Sequence, residues 1–186
     1  PLTAQQVLQQ VQLPVFVKPN NGGSSIGMSK VTQTNDLQAA IDKAFKEDNQ
    51  VLVEEYISGR EFTVGVFKTK GVIKILPITE IIPKNDFFDY EAKYTTGMAN
   101  EVTPAQIDAS VTAVIQSAAQ KVYEVFNCSG IVRIDFIYND KSNQPFLLEI
   151  NTVPGQSEAS IVPQQVKAMG WTLTDFYSTL IEEAMH

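Results

Sequence analysis

Between Ile131 and Asn151 the chain can do little except fold back on itself. From Ile131 to Tyr138 it alternates strictly, with Val132, Ile134, Phe136 and Tyr138 on one side and Arg133, Asp135 and Ile137 on the other. Phe146–Asn151 alternates too, setting Phe146, Leu148 and Ile150 against Leu147, Glu149 and Asn151. Residues 139–145 between them, Asn-Asp-Lys-Ser-Asn-Gln-Pro, are turn chemistry. Centring the turn on Ser142 sets Tyr138 opposite Phe146, Asp135 opposite Glu149 and Arg133 opposite Asn151. That register gathers the apolar residues on one side and four polar residues on the other.

The polar side needs a physical reason. Carboxylates directly opposite in an antiparallel pair lie about 5 Å apart at Cβ and destabilise the sheet. A hard divalent cation between them reverses the sign. Mg²⁺ takes oxygen ligands, commonly one or two carboxylates completed by phosphate and water, and the Asn151 amide oxygen offers a third protein ligand. The plainer alternative is a solvated hairpin face whose carboxylates repel weakly in water.

Composition narrows the classes. A chain of 186 residues that is 44% hydrophobic and 19% charged has the make-up of an ordinary globular protein with one large core or two small lobes. A net charge of −7 argues against a general nucleic-acid binder. Cys128 is the single cysteine, so no internal disulfide forms and an intracellular setting is the easier reading. His186 is the single histidine, which disfavours Ser-His-Asp catalysis and His-rich zinc sites. No apolar run reaches the roughly 18 residues of a membrane span, and no signal peptide is visible. Pro1 is not an initiator residue, and the chain reads as a fragment or a processed product.

In order, the sequence predicts a helix over residues 3–12, a strand over 14–17, a returning strand over 28–31 and an amphipathic helix over 36–46. Strands follow over 51–57, 61–68 and 72–82, the last two joined through Lys70-Gly71. Residues 83–103 have no clean period and carry Phe87, Phe88, Tyr90 and Tyr94; loops of that length inside compact domains are commonly functional. Thr103-Pro104-Ala105-Gln106 has the outline of a capping box with Pro at the first helical position, predicting a helix from there to about Phe126. Two more helices close the chain, one ending at Met169 before Gly170 and one capped by Thr172.

Three further stretches carry chemistry. Gly22-Gly23-Ser24-Ser25-Ile26-Gly27 follows a strand ending in Lys18; such a loop lets backbone N–H groups approach a phosphate. It is neither a Walker A loop nor a dinucleotide fingerprint. Val51–Ile57 ends in Glu54 and Glu55, with Glu61 soon after. Lys93-Tyr94 lies in the long loop. Alone, the glycine loop is as well read as a flexible hairpin, the acidic stretch is better read as a strand leaving its core, and Lys93-Tyr94 also suits a surface Lys beside a half-buried Tyr.

Together these motifs resemble the ATP-grasp superfamily and, within it, the D-alanine–D-alanine ligase family. Gly23-Ser24-Ser25-Ile26-Gly27, Glu61-Phe62-Thr63-Val64, Asp89-Tyr90-Glu91-Ala92-Lys93-Tyr94, Arg133-Ile134-Asp135 and Glu149-Ile150-Asn151-Thr152-x-Pro-Gly stand in family order. The resemblance runs from Lys18 to Pro163. It implies an α+β chain of two lobes with antiparallel sheets enclosing the nucleotide: residues 1–58 as a smaller lobe carrying the phosphate loop, incomplete at its N-terminus, and 59–186 as a larger lobe with the metal and substrate sites. Lys18 and Lys93 would contact ATP phosphates beside Ser24 and Ser25. Glu54, Glu55, Tyr56 and Ile57 would form the adenine edge, partly through backbone groups, with Glu61 on the ribose and Phe88 also binding the nucleotide. Asp135, Glu149 and Asn151 would hold two Mg²⁺, for which Mn²⁺ can substitute. Ser24, Tyr94, Arg133, Gly155 and Ser160 would surround the amino-acid substrates.

The implied reaction is ATP-dependent joining of two D-alanines through an acyl phosphate, for peptidoglycan synthesis, cell-wall biogenesis and cell shape. The implied setting is cytoplasmic, with D-alanine substrates, no nucleic-acid or membrane partner, and a homodimer of the intact protein as one arrangement. Family members carry an N-terminal domain with a Glu for the first D-alanine and a further ATP-contacting Lys, both of which would precede Pro1. Ala159 stands where some members have His. The fragment alone is therefore expected to be inactive. Alternatives are a D-alanine–D-lactate ligase, another ATP-grasp carboxylate–amine ligase, and a Mg-nucleotide-binding module without catalysis; Lys93-Tyr94 favours the dipeptide enzyme.

Overall fold

The computed structural model describes residues 2–21, 25–83 and 99–185. Within these the chain forms two compact units, one up to Ile57 and one built from Ser58–Ile82 and the residues from Asn100 onward.

The first unit rests on a three-stranded antiparallel sheet, β1 (Val15–Pro19) flanked by β2 (Ser29–Val31) and β3 (Val51–Glu55). Val15, Val17 and Val31 bury one face against Leu37, Ala40, Ile41 and Ala44 of α2 (Leu37–Ala44). Asp36 ends a 3-10 turn, Thr34–Asp36, so the regular helix starts one residue later than the apolar periodicity suggests. The opening helix α1 is only Ala4–Val7, closed by a reciprocal capping box between Thr3 and Gln6. With one turn and no long apolar face it stops well short of Gln12.

The second unit is a larger antiparallel sheet in the order β7-β6-β4-β8-β9, with β5 also on β4. Its strands are β4 (Arg60–Thr69), β5 (Val72–Ile75), β6 (Thr79–Pro83), β7 (Ala99–Val102), β8 (Val132–Asn139) and β9 (Gln144–Asn151). The even-numbered side chains Phe62, Val64, Val66, Val132, Ile134, Phe136 and Tyr138 pack against α3 (Ala109–Val125) through Ile115, Ala119 and Tyr123. Each such burial contributes roughly 1.5–3 kcal/mol. On the opposite face α4 (Ile161–Ala168) and α5 (Leu173–Ala184) cover Phe67 and Leu76 with Val162, Val166 and Phe176. Within this unit those helices meet the sheet around Phe67 and Ile131. Thr63 lies further back along β4 and Asp135 further on along β8, paired with each other.

Four further expectations change. The predicted strand 72–82 is two strands: β5 pairs with the C-terminal half of β4 and β6 with its N-terminal half. The aperiodic stretch 83–103 contains β7, a strand too short to show a period. The long helix begins at Ala109, not Thr103, because the Thr103 hydroxyl pairs with that of Thr79 at 2.6 Å and the Ala105 N–H donates to Ile78 O, which ties this segment to β6.

The fourth change lies in the hairpin. Arg133↔Asn151, Ile134↔Ile150 and Asp135↔Glu149 pair as expected, then the register shifts by one residue. Tyr138 faces Pro145 instead of Phe146, and Phe146 lies opposite Ile137. The turn is one residue shorter than a loop centred on Ser142, and a bulge at Leu148 restores the register of the charged residues. Phe146 thereby joins the Ile137 side of the hairpin and leaves the Tyr138 side.

Among the described residues no helix is long and apolar enough to cross a membrane.

Candidate active site

Sheet pairing assembles the second unit's polar face in rows. Glu61, Ile137 and Phe146 form one; Thr63, Asp135 and Glu149 the next; Gly65, Arg133 and Asn151 the third. Paired residues in antiparallel strands share a face, so motifs far apart in sequence become neighbours.

Arg133 and Asp135, two residues apart on β8, form a fork: Arg133 Nε donates to Asp135 Oδ1 at 3.0 Å and Nη2 to Oδ2 at 2.9 Å. Thr63 Oγ1 donates to the same Oδ1 from β4. Glu149 Oε1 lies 4.0 Å from Arg133 Nη2, at the edge of ion-pair range. Burial alone would lower the Arg133 pKa; the Asp135 hydrogen bonds and charge, with Glu149 and Glu101 beyond, offset this and hold the guanidinium above its ordinary value. Asn151 Oδ1 accepts from Val153 N at 3.1 Å, an Asx turn that leads the chain toward Pro154-Gly155.

Of these residues Arg133 opens onto a shallow cavity of ≈ 180 Å³, lined also by Glu101, Pro154, Gly155, Ser160, Ile161 and Val162. Arg133, Gly155 and Ser160, expected around the substrates, therefore meet. A Cβ on Gly155 would fall 2.8 Å from Ser160 Oγ, so only glycine lets the backbone pass so close to that hydroxyl. Ser160 shares a hydrogen bond with Ser157 Oγ at 2.8 Å and is the residue immediately before α4. Glu101 was not foreseen. It lies on β7, inside a stretch without period, and Gln164 Nε2 donates to its carboxylate at 3.0 Å.

Among the described residues no group of three or more His, Cys, Asp or Glu side chains is arranged to hold a metal. The trio Asp135, Glu149 and Asn151 is two carboxylates and an amide on one face. As a donor set it fits Mg²⁺, which prefers oxygen and leaves the rest of its octahedron to phosphate and water. Glu61 lies on the same face, opposite Ile137.

In the first unit, Lys18 Nζ meets Glu54 Oε2 at 2.7 Å. Lys30, Phe16 and Glu54 stand opposite one another across the three strands. Tyr56 follows, with its ring 5.9 Å from that of Phe16 and Lys30 Nζ 3.8 Å from its centre. Lys18, Glu54 and Tyr56 are thus brought to one polar-aromatic face, to which the structure adds Phe16 and Lys30. Glu55 alternates to the other side, leaving its backbone as the part that could serve the same face. Ser25 adopts φ 58°, and its carbonyl accepts from Met28 N at 3.1 Å. The Tyr56 N–H donates to Pro14 O at 3.0 Å, and Ile57 follows at the end of the unit. Ser24, Phe88, Lys93 and Tyr94 lie outside the described residues.

Comparison with known proteins places these features in a family. Residues 2–182 match the family model described as D-ala D-ala ligase C-terminus. The chain is 48% identical over 177 residues to the D-alanine--D-alanine ligase of Flavobacterium johnsoniae, covering 95% of this chain and 54% of that protein. It is 41% identical over 184 residues to the namesake enzyme of Parabacteroides distasonis, covering 99% and 55%. Among solved structures it is similar to VanG D-Ala:D-Ser ligase from Enterococcus faecalis (TM-score 0.86, 35% identity, 96% of this chain and 51% of that one). It is also similar to D-alanine--D-alanine ligase from Bacillus anthracis (TM-score 0.84, 31% identity, 100% and 58%), and a second structure of that protein is complexed with ATP. The chain spans about half the length of the relatives it matches. With its α+β architecture, antiparallel sheets and ordered motifs, the chain belongs to the D-alanine–D-alanine ligase family of the ATP-grasp fold.

Proposed function

We propose that this chain is the catalytic C-terminal part of an ATP-dependent D-alanine–D-alanine ligase. One observation carries the reading: the Asp135–Glu149 pair and the Arg133–Gly155–Ser160 cavity share one sheet face, joined through the Arg133 fork. A carboxylate pair suited to a metal nucleotide beside a guanidinium-lined cavity suits a reaction that phosphorylates one carboxylate and then attacks it with an amine.

In this reading Asp135, Glu149 and Asn151 hold two Mg²⁺, with Mn²⁺ as a substitute. When bound, the metal would neutralise charge on the transferring phosphoryl group. Lys18 leaves Glu54 for an ATP phosphate, an exchange one exposed ion pair permits at small cost. Lys93 would add a second positive charge, and Ser24 and Ser25 would supply donors from the phosphate loop. Tyr56, Ile57 and the Glu54–Glu55 backbone border the base with Phe88, and Glu61 accepts from the ribose. One D-alanine carboxylate attacks the γ-phosphate to give an acyl phosphate, and the amine of a second D-alanine then displaces phosphate. Arg133 and the Gly155 N–H stabilise the tetrahedral oxyanion. Ser160 and Tyr94 orient the acceptor. The intact protein would act in the cytoplasm in peptidoglycan synthesis.

ADP release by the complete polypeptide, measured with D-alanine alone and with D-alanine plus D-lactate or D-serine, tests this. D-alanine-dependent ADP and dipeptide support it. Turnover only with D-serine or D-lactate would move the acceptor, a reading the VanG likeness keeps in view. Titration of Mg-ATP with binding heat but no turnover would leave a nucleotide-binding module.

A further inference from the structure

We infer that Gln165, a residue with no place in the motifs above, is the positioning residue that holds the walls of the Arg133–Gly155–Ser160 cavity together. The inference deepens the functional reading and rests on it for its kinetic consequences.

Gln165 is fully buried, one of four buried polar or charged side chains among the described residues. It lies on α4, five residues after Ser160. Its Oε1 accepts from Gly65 N at 3.0 Å, and its Nε2 donates to Thr63 O and to Thr79 Oγ1, both at 3.0 Å. The sheet explains the site. β4 trades one neighbour for another at this point, β5 from Val66 onward and β6 up to Thr63. The chain between them, through Leu76, Pro77 and Ile78, bends away, although Leu76 N still reaches Gly65 O at 2.8 Å. The Gly65 N–H and Thr63 carbonyl fall in that gap, where unpaired burial would be costly. One amide supplies both missing partners. Gly65 makes room, since a Cβ there would lie 2.8 Å from Gln165 Oε1 and 2.6 Å from Leu76 Cδ1.

Each bond leads to a wall of the cavity. Thr63 uses its hydroxyl to hold Asp135, the partner of Arg133. Thr79 is bonded to Thr103, which follows β7, the strand of Glu101. The helix itself carries Ile161 and Val162 in its first turn, after Ser160, while the neighbouring Gln164 donates to the Glu101 carboxylate. Gln165 thus fixes the height of Ser160 over the sheet that presents Arg133, and a purely apolar contact, which has no direction, could slide.

The test uses the complete ligase polypeptide, comparing Gln165→Met, near in volume but without the amide, with Val166→Ala, its neighbour in the same helix and core. Both variants lose stability. Only Gln165→Met should raise KM for the acceptor D-alanine, by about tenfold, with KM for ATP changed less than about twofold. Equal KM shifts in the two variants, or none in Gln165→Met, overturn the inference. Hydrogen exchange decides it independently of turnover. Gly65 N–H and the first-turn amides of α4 should exchange about tenfold faster in Gln165→Met than in Val166→Ala at matched global stability, and equal rates overturn it. A wild-type polypeptide that makes no dipeptide would sink the functional reading alone, leaving exchange to judge Gln165.

Discussion

The two sheets hold their principal ion pairs differently. In the first, Lys18 and Glu54 meet at one contact, with 24% and 44% of their side chains exposed. In the second, Arg133 and Asp135 meet through two hydrogen bonds, are 21% and 13% exposed, and are braced by Thr63 from the next strand. A single contact between long, part-exposed side chains contributes little and exchanges readily for a phosphate. A braced fork keeps its geometry whether or not a ligand is present, which a group that must stabilise a developing charge requires. One sheet therefore offers a charge that can be redirected; the other offers charges already aimed.

Substitutions can break that contrast, beginning with the fork. Asp135→Asn would leave the Arg133 guanidinium largely buried without its partner and should cost about 2–3 kcal/mol in urea unfolding without metal; a loss under about 0.5 kcal/mol would mean the fork holds nothing in place. Lys18→Met should change stability by no more than about 0.5 kcal/mol while raising KM for ATP in the complete protein. A larger stability loss would make Lys18 structural and erase the difference between the sheets. Glu149→Gln sharpens it further. The carboxylate stands opposite Asp135, yet Arg133 lies 4.0 Å away, so repulsion and attraction nearly offset. Metal-free melting should stay level or rise slightly, within about 0.3 kcal/mol, while Mg²⁺-dependent ATP use collapses. A large drop in the metal-free melting temperature would assign Glu149 to the framework instead.

The smallest effect lies at Asn21, two residues after β1. Asp48 accepts from Asn21 N at 2.6 Å and from Asn21 Nδ2 at 3.0 Å. The Asn21 backbone bond, with help from Gln50, holds its carboxyl below the ordinary 3.8. A depressed folded-state pKa contributes stability above the unfolded value and loses it as pH falls through the folded one. Wild type and Asp48→Asn should therefore differ in stability at pH 7, and the difference should shrink as pH falls below 3.8 and through the lowered folded-state value.

How far the sequence reveals this molecule depends on how far apart the partners stand. Arg133, Asp135, Glu149 and Asn151 were readable because a strand's period and a turn fix neighbours within twenty residues. Thr63 was not, since nothing local predicts that β4 will lie against β8, 72 positions away. Gln165 was invisible for a different reason. A glutamine in an amphipathic helix reads as solvent-facing, and only a break in sheet pairing makes its burial favourable. Thr103 misled because a hydroxyl that suits a helix cap also suits a buried pair with Thr79. Phe146 was set on the wrong side because strict alternation cannot announce a bulge.

That bulge works as an expansion joint. It divides the β8–β9 hairpin into an inner length, where Asp135 meets Glu149, and an outer length that runs one residue out of step up to the turn after Asn139. Removing Leu148 would bring the two lengths into step without separating the carboxylates, because every later residue of β9 would shift along with Glu149. What would change is the local twist and the direction in which the tip leans. The facing of the two acids and the attitude of the hairpin tip are thus set by different residues, so the tip can accept changes of length or grafted sequence that the inner half would never register.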